Sequence, residues 1–316
     1  MKALLIIPKF FSYEIYIKEE LQNIGYEVNT IYENVDNFSL ISKIQIEFIG
    51  NKMNFFNKYF EMSIGNDVYN IVIVIRGSFL SGHILDLIKE KSPLAKLYMY
   101  QWDSVKNNPN ALDIAPYFDT VSTFDIDDAK KYGWKYRPLF YINSSERKTV
   151  RKYDITYICT LHSQRVKIFQ ILKDLDIRSY LYLYSKFSHY IKERYINKNK
   201  DFDGISLHDV KFKPLSLEQS HEVMANSNIV IDYTHPAQSG FTMRTCEAIG
   251  HRCKLVTNNK LVVNADFYNE NNVYVYDPDN FAIPVSFIKS PFLDLGEKIY
   301  ERYSISRWLK DILDYE

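Results

Sequence analysis

Cysteine is scarce in this chain: three residues, at 159, 246 and 253, in a length of 316. They are odd in number and show no CxxC spacing, which argues against a disulfide framework and a zinc cluster and suits a reducing cytoplasm. All three read as buried thiols. Net charge is missing as well, because 39 Lys and Arg balance 39 Asp and Glu. No overall field therefore draws the chain to nucleic acid or to an anionic lipid surface, and any anion site must be local. No apolar run approaches the roughly 20 residues that a bilayer-crossing helix needs, so the expectation is a soluble or at most peripheral protein. The opening Met1-Lys-Ala-Leu-Leu-Ile-Ile-Pro8 has too short an apolar core, and no small-residue cleavage site, for a signal peptide; it reads as a first buried strand. GxxxxGK[ST], HExxH, GxSxG and paired-Cys motifs are absent too, which weighs against P-loop NTPases, metalloproteases, α/β-hydrolases and zinc proteins.

What is present is a series of short apolar runs, at 4–7, 27–32, 70–75, 97–101, 120–123 and 136–138, then at 155–159, 180–184, 229–233, 254–257 and 272–276. They are apolar throughout instead of alternating, as in strands covered on both faces, and most lead through a polar turn into a helix-period segment. That pattern predicts parallel α/β sheets. Helices are predicted over 12–24, 81–91, 164–175, 186–195 and 216–225, with one or two amphipathic helices in 293–312. The polar, basic stretch 141–153 breaks the alternation and reads as a linker. A length of 316 residues exceeds the usual size of one core. The expected architecture is therefore α/β, with two Rossmann-like domains facing a cleft. The first spans 1–145 and the second 153–290, and a helical tail over 291–316 crosses back to pack on the first. The apolar fraction of 46% and charged fraction of 25% argue against long disorder. The 26 Tyr and 20 Phe serve either as amphipathic filler or as groove lining.

The most informative stretch is 227–258. It reads as a buried strand, a turn with Gly240, a helix and a second strand, an order that sets backbone N–H groups and a helix N-terminus where an anion can sit. Gly240 allows a close approach or a conformation that a Cβ would block, while Thr242 can cap the helix and hydrogen-bond a phosphate. Arg244 is a charge within reach of a diphosphate. Glu247 returns to the face of Gly240, where a carboxylate can accept from ribose hydroxyls. The plain alternative is a routine βα turn with Thr242 as a cap and Glu247 solvated.

Ser239-Gly-Phe-Thr-Met-Arg-Thr-Cys-Glu-Ala248 resembles the Gly-Phe-Gly…Glu-Ala donor-binding element of nucleotide-sugar glycosyltransferases of the GT-B architecture. With 231–232, 254–258, 266–268, 154–160 and 213–219, the resemblance extends to bacterial transferases of lipopolysaccharide core and capsular polysaccharide. It covers most of 153–280, and the N-terminal half only in pattern. It implies a nucleoside-diphosphate sugar as donor substrate, no separate cofactor, and a glycan or lipid-linked glycan acceptor. A cytoplasmic site, at most peripheral to the inner membrane, goes with it, and no nucleic acid partner. Retaining members carry a first Glu where this chain has Ser239, so the search for a catalytic base moves to the other domain.

Two groups there are candidates. Asp103, after the strand at 97–101 and beside Trp102, is expected to have a raised pKa and to take the acceptor proton; an Asx turn is its alternative. His83, after the Gly-rich loop 76–82, is a second base candidate or a structural helix-start histidine. Arg76 is an anion candidate or a surface ion pair, and Lys9, Phe10 and Phe11 line the acceptor side or simply pack. In the second half Thr160, Arg165 and Lys186 are expected to meet the donor phosphates, with cations and helix dipoles instead of a metal stabilising the departing diphosphate; a capped helix with a solvent-facing Arg165 is the alternative. Two further readings stand beside the transferase: an epimerase of the same architecture that needs no acceptor, and a non-catalytic module that keeps the fold as a partner surface.

Overall fold

The computed structural model describes residues 1–33, 52–162, 164–235 and 238–315. Pro236, in the turn before Gly240, and Ser163, between Thr160 and Arg165, lie outside the described residues. The chain forms two compact units, each built on its own parallel six-stranded sheet.

The first unit holds Met1–Leu139, a short loop ending at Gly240, and Ile305–Glu316. Its strands are β1 Lys2–Ile7, β2 Glu27–Tyr32, β3 Ile71–Ile75, β4 Lys96–Gln101, β5 Thr120–Thr123 and β6 Lys135–Tyr136, in the order β2-β1-β3-β4-β5-β6. Central β3 is buried throughout and β1 from Ala3 onward, the reason those residues are all apolar. Phe56, Phe60, Ile84, Leu85 and Met99 pack with them in one core. The order reverses at β1 and β3, which places the turns after these strands at a switch point. Helix Ile305–Ile312 completes this unit: Trp308 is fully buried, its ring edge-on to Tyr100 at 4.9 Å, and Asp311 pairs with Arg137 at 2.8 Å.

The second unit holds Phe140–His235 and Phe241–Ser304. Strands β7 Tyr153–Thr160, β8 Ser179–Tyr184, β9 Val210–Lys211, β10 Ser227–Ile231, β11 Lys254–Thr257 and β12 Val273–Val275 run in the order β12-β11-β10-β7-β8-β9. Here the reversal falls between β7 and β10. The basic stretch 141–153 is an integral part of this unit. Arg151 donates to the Ser227 carbonyl, to His251 O at 2.8 Å and to Cys253 Sγ at 3.0 Å, and Arg147 donates to Arg252 O at 2.7 Å. Polar sequence here reflects long-range pairing with the unit's own backbone. Of the predicted tail, Glu297–Arg302 stays in the second unit, with Tyr141 donating to the Tyr300 carbonyl at 2.8 Å, and only Ile305–Ile312 joins the first. Cys246 and Cys253 are buried and Cys159 is partly exposed.

Several helices lie outside the predicted set. Lys52–Ile64 buries Phe56, Phe60 and Ile64 at a spacing of four, and Ile126–Tyr132 has Asp125 as its N-cap and Gly133 in the left-handed region at its end. Both carry standard helix signals. Among the described residues no helix is long and apolar enough to cross a membrane.

Candidate functional site

In the second unit the site builds around the carboxyl ends of β7 and β10. Thr160 ends β7, and Arg165, in the first turn of helix Gln164–Lys173, reaches back to it. Its Nη1 donates to Thr160 Oγ1 at 2.7 Å and lies 2.8 Å from His162 Nε2. Its Nη2 reaches the Tyr233 carbonyl beyond β10 at 3.4 Å, and the guanidinium sits 5.4 Å from the Tyr233 ring centroid. A single cation thus spans the two strands where the order reverses. Lys186 stands exposed after β8, the next strand.

The turn after β10 is organised by Asp232, whose carboxylate is buried. It accepts from the hydroxyls of Thr242 at 2.9 Å, Thr234 at 3.1 Å, Thr257 at 3.2 Å and Thr245 at 3.4 Å. Burial raises its pKa while these hydroxyls and Arg244 pull it down. Thr242 also caps helix Met243–Gly250 by accepting from Thr245 N at 3.1 Å. Its hydroxyl is therefore committed, and what the helix start offers an anion is its backbone N–H groups and dipole. The sequence reading missed Asp232 as the hub of four threonines; its signal was a carboxylate at a strand end among Thr residues.

Gly240 needs to be glycine for packing. A Cβ there would lie 2.5 Å from the Phe124 carbonyl oxygen and 2.3 Å from its ring. Ser239 beside it donates from its hydroxyl to Asp125 at 2.6 Å and from its amide at 3.0 Å, while Asp125 caps helix Ile126–Tyr132. These contacts lie within the first unit: they take up the Ser239 hydroxyl and amide, and Phe124 closes the space beside the Gly240 Cα.

Glu247 is buried, not solvated. Its Oε2 pairs with Arg244 at 3.0 Å and its Oε1 lies 3.3 Å from His221 Nε2. Arg244 also reaches Ser220 Oγ at 3.1 Å, so in this state it neutralises Glu247. His221 and its neighbour His251, with ring centroids 5.1 Å apart, were not anticipated. Burial lowers the His251 pKa to about 4, so that ring is neutral.

In the first unit a second group collects at the carboxyl ends of β1 to β4. Arg76 follows β3 with φ 77, in the left-handed region, and Gly77 follows with φ 68. Arg76 is held there by its own amide, which donates to Tyr100 O at 3.0 Å, and by its carbonyl, which accepts from Gln101 and Asn108 side chains at 2.7 Å each. A non-glycine residue fixed in this region marks a site where strain is maintained by its surroundings. Its guanidinium Nε lies 3.3 Å from Asp103. Burial raises the Asp103 pKa and Arg76 opposes the rise. Behind them Glu33, after β2, is only 1% exposed. Burial pushes its carboxyl up to about 8 against the pull of Arg76, and sequence reasoning overlooked it. Phe10 and Phe11 are half exposed, and the Phe10 ring lies 5.9 Å from Trp102. Lys9 lies over the Tyr32 ring. His83 is not part of this group: its exposed ring pairs with Glu61 at 2.9 Å.

The expectation of a metal-free site passed over four Asp-x-Asp triplets, at 125–127, 174–176, 201–203 and 277–279. Asp125 is taken up by the cap and Ser239. Among the described residues no three His, Cys, Asp or Glu side chains are placed to hold a metal ion.

No protein-family model matches the chain, and no curated protein matches it in sequence. Solved structures do match, along nearly its full length. The Anabaena protein HepE, solved with UDP and glucose, has a TM-score of 0.60 at 11% identity over 99% of this chain and 98% of that one. An α-glucosyltransferase in complex with UDP and a 13-mer DNA gives 0.54 at 12% over 99% and 95%. A UDP-glucosyltransferase from Polygonum tinctorium gives 0.50 at 7% over 100% and 99%. At such identities the likeness is one of fold. Two Rossmann-like units, each with a parallel six-stranded sheet whose order reverses, make up the GT-B fold, and this chain has that fold.

Proposed function

We propose that the chain is a glycosyltransferase that moves a sugar from a nucleoside-diphosphate donor to a hydroxyl of a bacterial surface-polysaccharide acceptor, of the lipopolysaccharide or capsule type. The observation that carries this reading is Arg165 spanning the ends of β7 and β10 in the unit that also contains helix Met243–Gly250 and Glu247. That is the place where an open parallel sheet takes a ligand. UDP in the HepE and α-glucosyltransferase structures supports a nucleotide donor. The acceptor class comes from the sequence resemblance of 153–280.

In this reading the N–H groups at the start of Met243–Gly250, with Arg165 and Lys186, bind the diphosphate, and Glu247 accepts from the ribose hydroxyls. Arg244 turns from Glu247 toward the diphosphate when the donor enters. Asp103, carried by the first unit, takes the acceptor proton as the new C–O bond forms. The sugar's bond to the diphosphate breaks, the electron pair leaves with the phosphate oxygen, and the cations and helix dipole stabilise it without a metal ion. Asp103 is preferred to His83 because Arg76, Glu33 and the exposed aromatic rings gather at Asp103. The enzyme works in the cytoplasm, peripheral to the membrane face where a lipid-linked acceptor is presented.

The test is thermal melting with UDP, GDP, dTDP, ADP and CMP at millimolar concentration. A ligand at about 100 times its Kd stabilises by about 2.7 kcal/mol. At least one nucleoside diphosphate should raise the melting temperature, Arg165→Ala should abolish the shift and Asp103→Asn should keep it. No shift with any of them sinks the donor reading.

A further inference from the structure

Glu247 is held on both oxygens, and one of the holding groups is itself positioned by the segment joining β6 to β7. His221, buried on helix Leu217–Ala225, has Nε2 3.3 Å from Glu247 Oε1, and its Nδ1 lies 3.2 Å from the Asn143 side-chain nitrogen. A carboxylate only accepts, so His221 must carry its proton on Nε2; an amide nitrogen only donates, so Nδ1 must accept. The two contacts require the same tautomer. The other ring facing His221, His251, is neutral and has its Nδ1 3.0 Å from Ser145 Oγ of the same segment. The charge of Glu247 is met on its other oxygen by Arg244.

We propose that Asn143 and His221 are positioning residues for the nucleotide ribose: Asn143 fixes His221 as an Nε2–H donor, and His221 holds one oxygen of Glu247 so that the carboxylate faces the ribose hydroxyls. This rests on Glu247 being the ribose carboxylate. A side chain that must order two hydroxyls gains from having its rotamer fixed by a second layer of hydrogen bonds. The segment 140–152 then has a share in donor recognition.

The experiment compares, by calorimetry, binding of UDP, ADP and GDP with binding of their 2′,3′-dideoxy counterparts. Wild-type protein should prefer the ribonucleotide. His221→Leu should lose about tenfold in ribonucleotide affinity and leave dideoxynucleotide affinity unchanged. His221→Gln, which keeps an N–H donor, should restore most of the preference, and Asn143→Leu should reduce it. Equal losses for both nucleotide forms in His221→Leu and Asn143→Leu mean general damage to the unit and overturn the proposal. If wild-type protein does not distinguish the two forms, Glu247 is not the ribose carboxylate and the proposal falls with it. If wild-type protein distinguishes them and both variants do so equally well, Glu247 keeps its role and the proposal alone is overturned.

Discussion

A carboxyl group with no water around it holds its proton, and Glu33 shows what that means for stability. Its ordinary pKa is 4.5 and its folded value is about 8. Between those values the native protein binds a proton that the unfolded chain has released. Its stabilising contribution is complete below pH 4.5, declines as pH rises, and is lost above about 8, at about 1.4 kcal/mol per pH unit at most. Glu33→Gln has no proton to lose. Its urea stability should match wild type near pH 5 and exceed it near pH 8.5; a gap that does not change with pH would show Glu33 ionised throughout. At this scale the sequence was partly legible. Asp103 and Glu247 stand out because a carboxylate at a strand end or on a turn-adjacent helix is conspicuous by itself. Glu33, His221 and Asn143 do not, because their meaning lies in partners 26 to 78 positions away or in burial that no local pattern states.

Elements were more legible than residues. Parallel strands covered on both faces have an apolar centre, so β1, β3, β7, β10 and β11 were visible as runs, whereas two-residue β9 left none. Helix Ile126–Tyr132 escaped because its buried side holds only Ala129. That helix and the turn before Met243–Gly250 depend on each other through Gly240, which has no room for a side chain against Phe124. Gly240→Ala should lower stability by about 1–3 kcal/mol and weaken any nucleotide-induced shift. Phe124→Ala is itself costly, because that ring is buried. In a melting experiment the double variant should nevertheless lose less than the sum of the two single losses, with part of the Gly240→Ala cost left because the 2.5 Å conflict with the Phe124 carbonyl oxygen remains. Strict additivity would mean that the ring is not what Gly240 makes room for.

For the whole molecule, the number of units and the class of fold could be read from chain length and the repeated βα pattern, while the order of strands within each sheet could not. Adjacency in a sheet is set by long crossover connections and leaves no local trace. The return of Ile305–Ile312 to the first unit is of the same kind. Trp308 fills space against Tyr100 that residues 1–139 do not fill themselves. Trp308→Ala should cost about 3–5 kcal/mol, seen as an earlier urea transition of the first unit. Nucleotide binding by the second unit should be retained; loss of binding at temperatures where the first unit is still folded would count against this division. Helix Ile305–Ile312 is synthesised after every residue of the second unit, so during translation the face of the first unit that Trp308 covers stays open to other chains until that helix is made, although the cluster around β1 and β3 needs none of its residues.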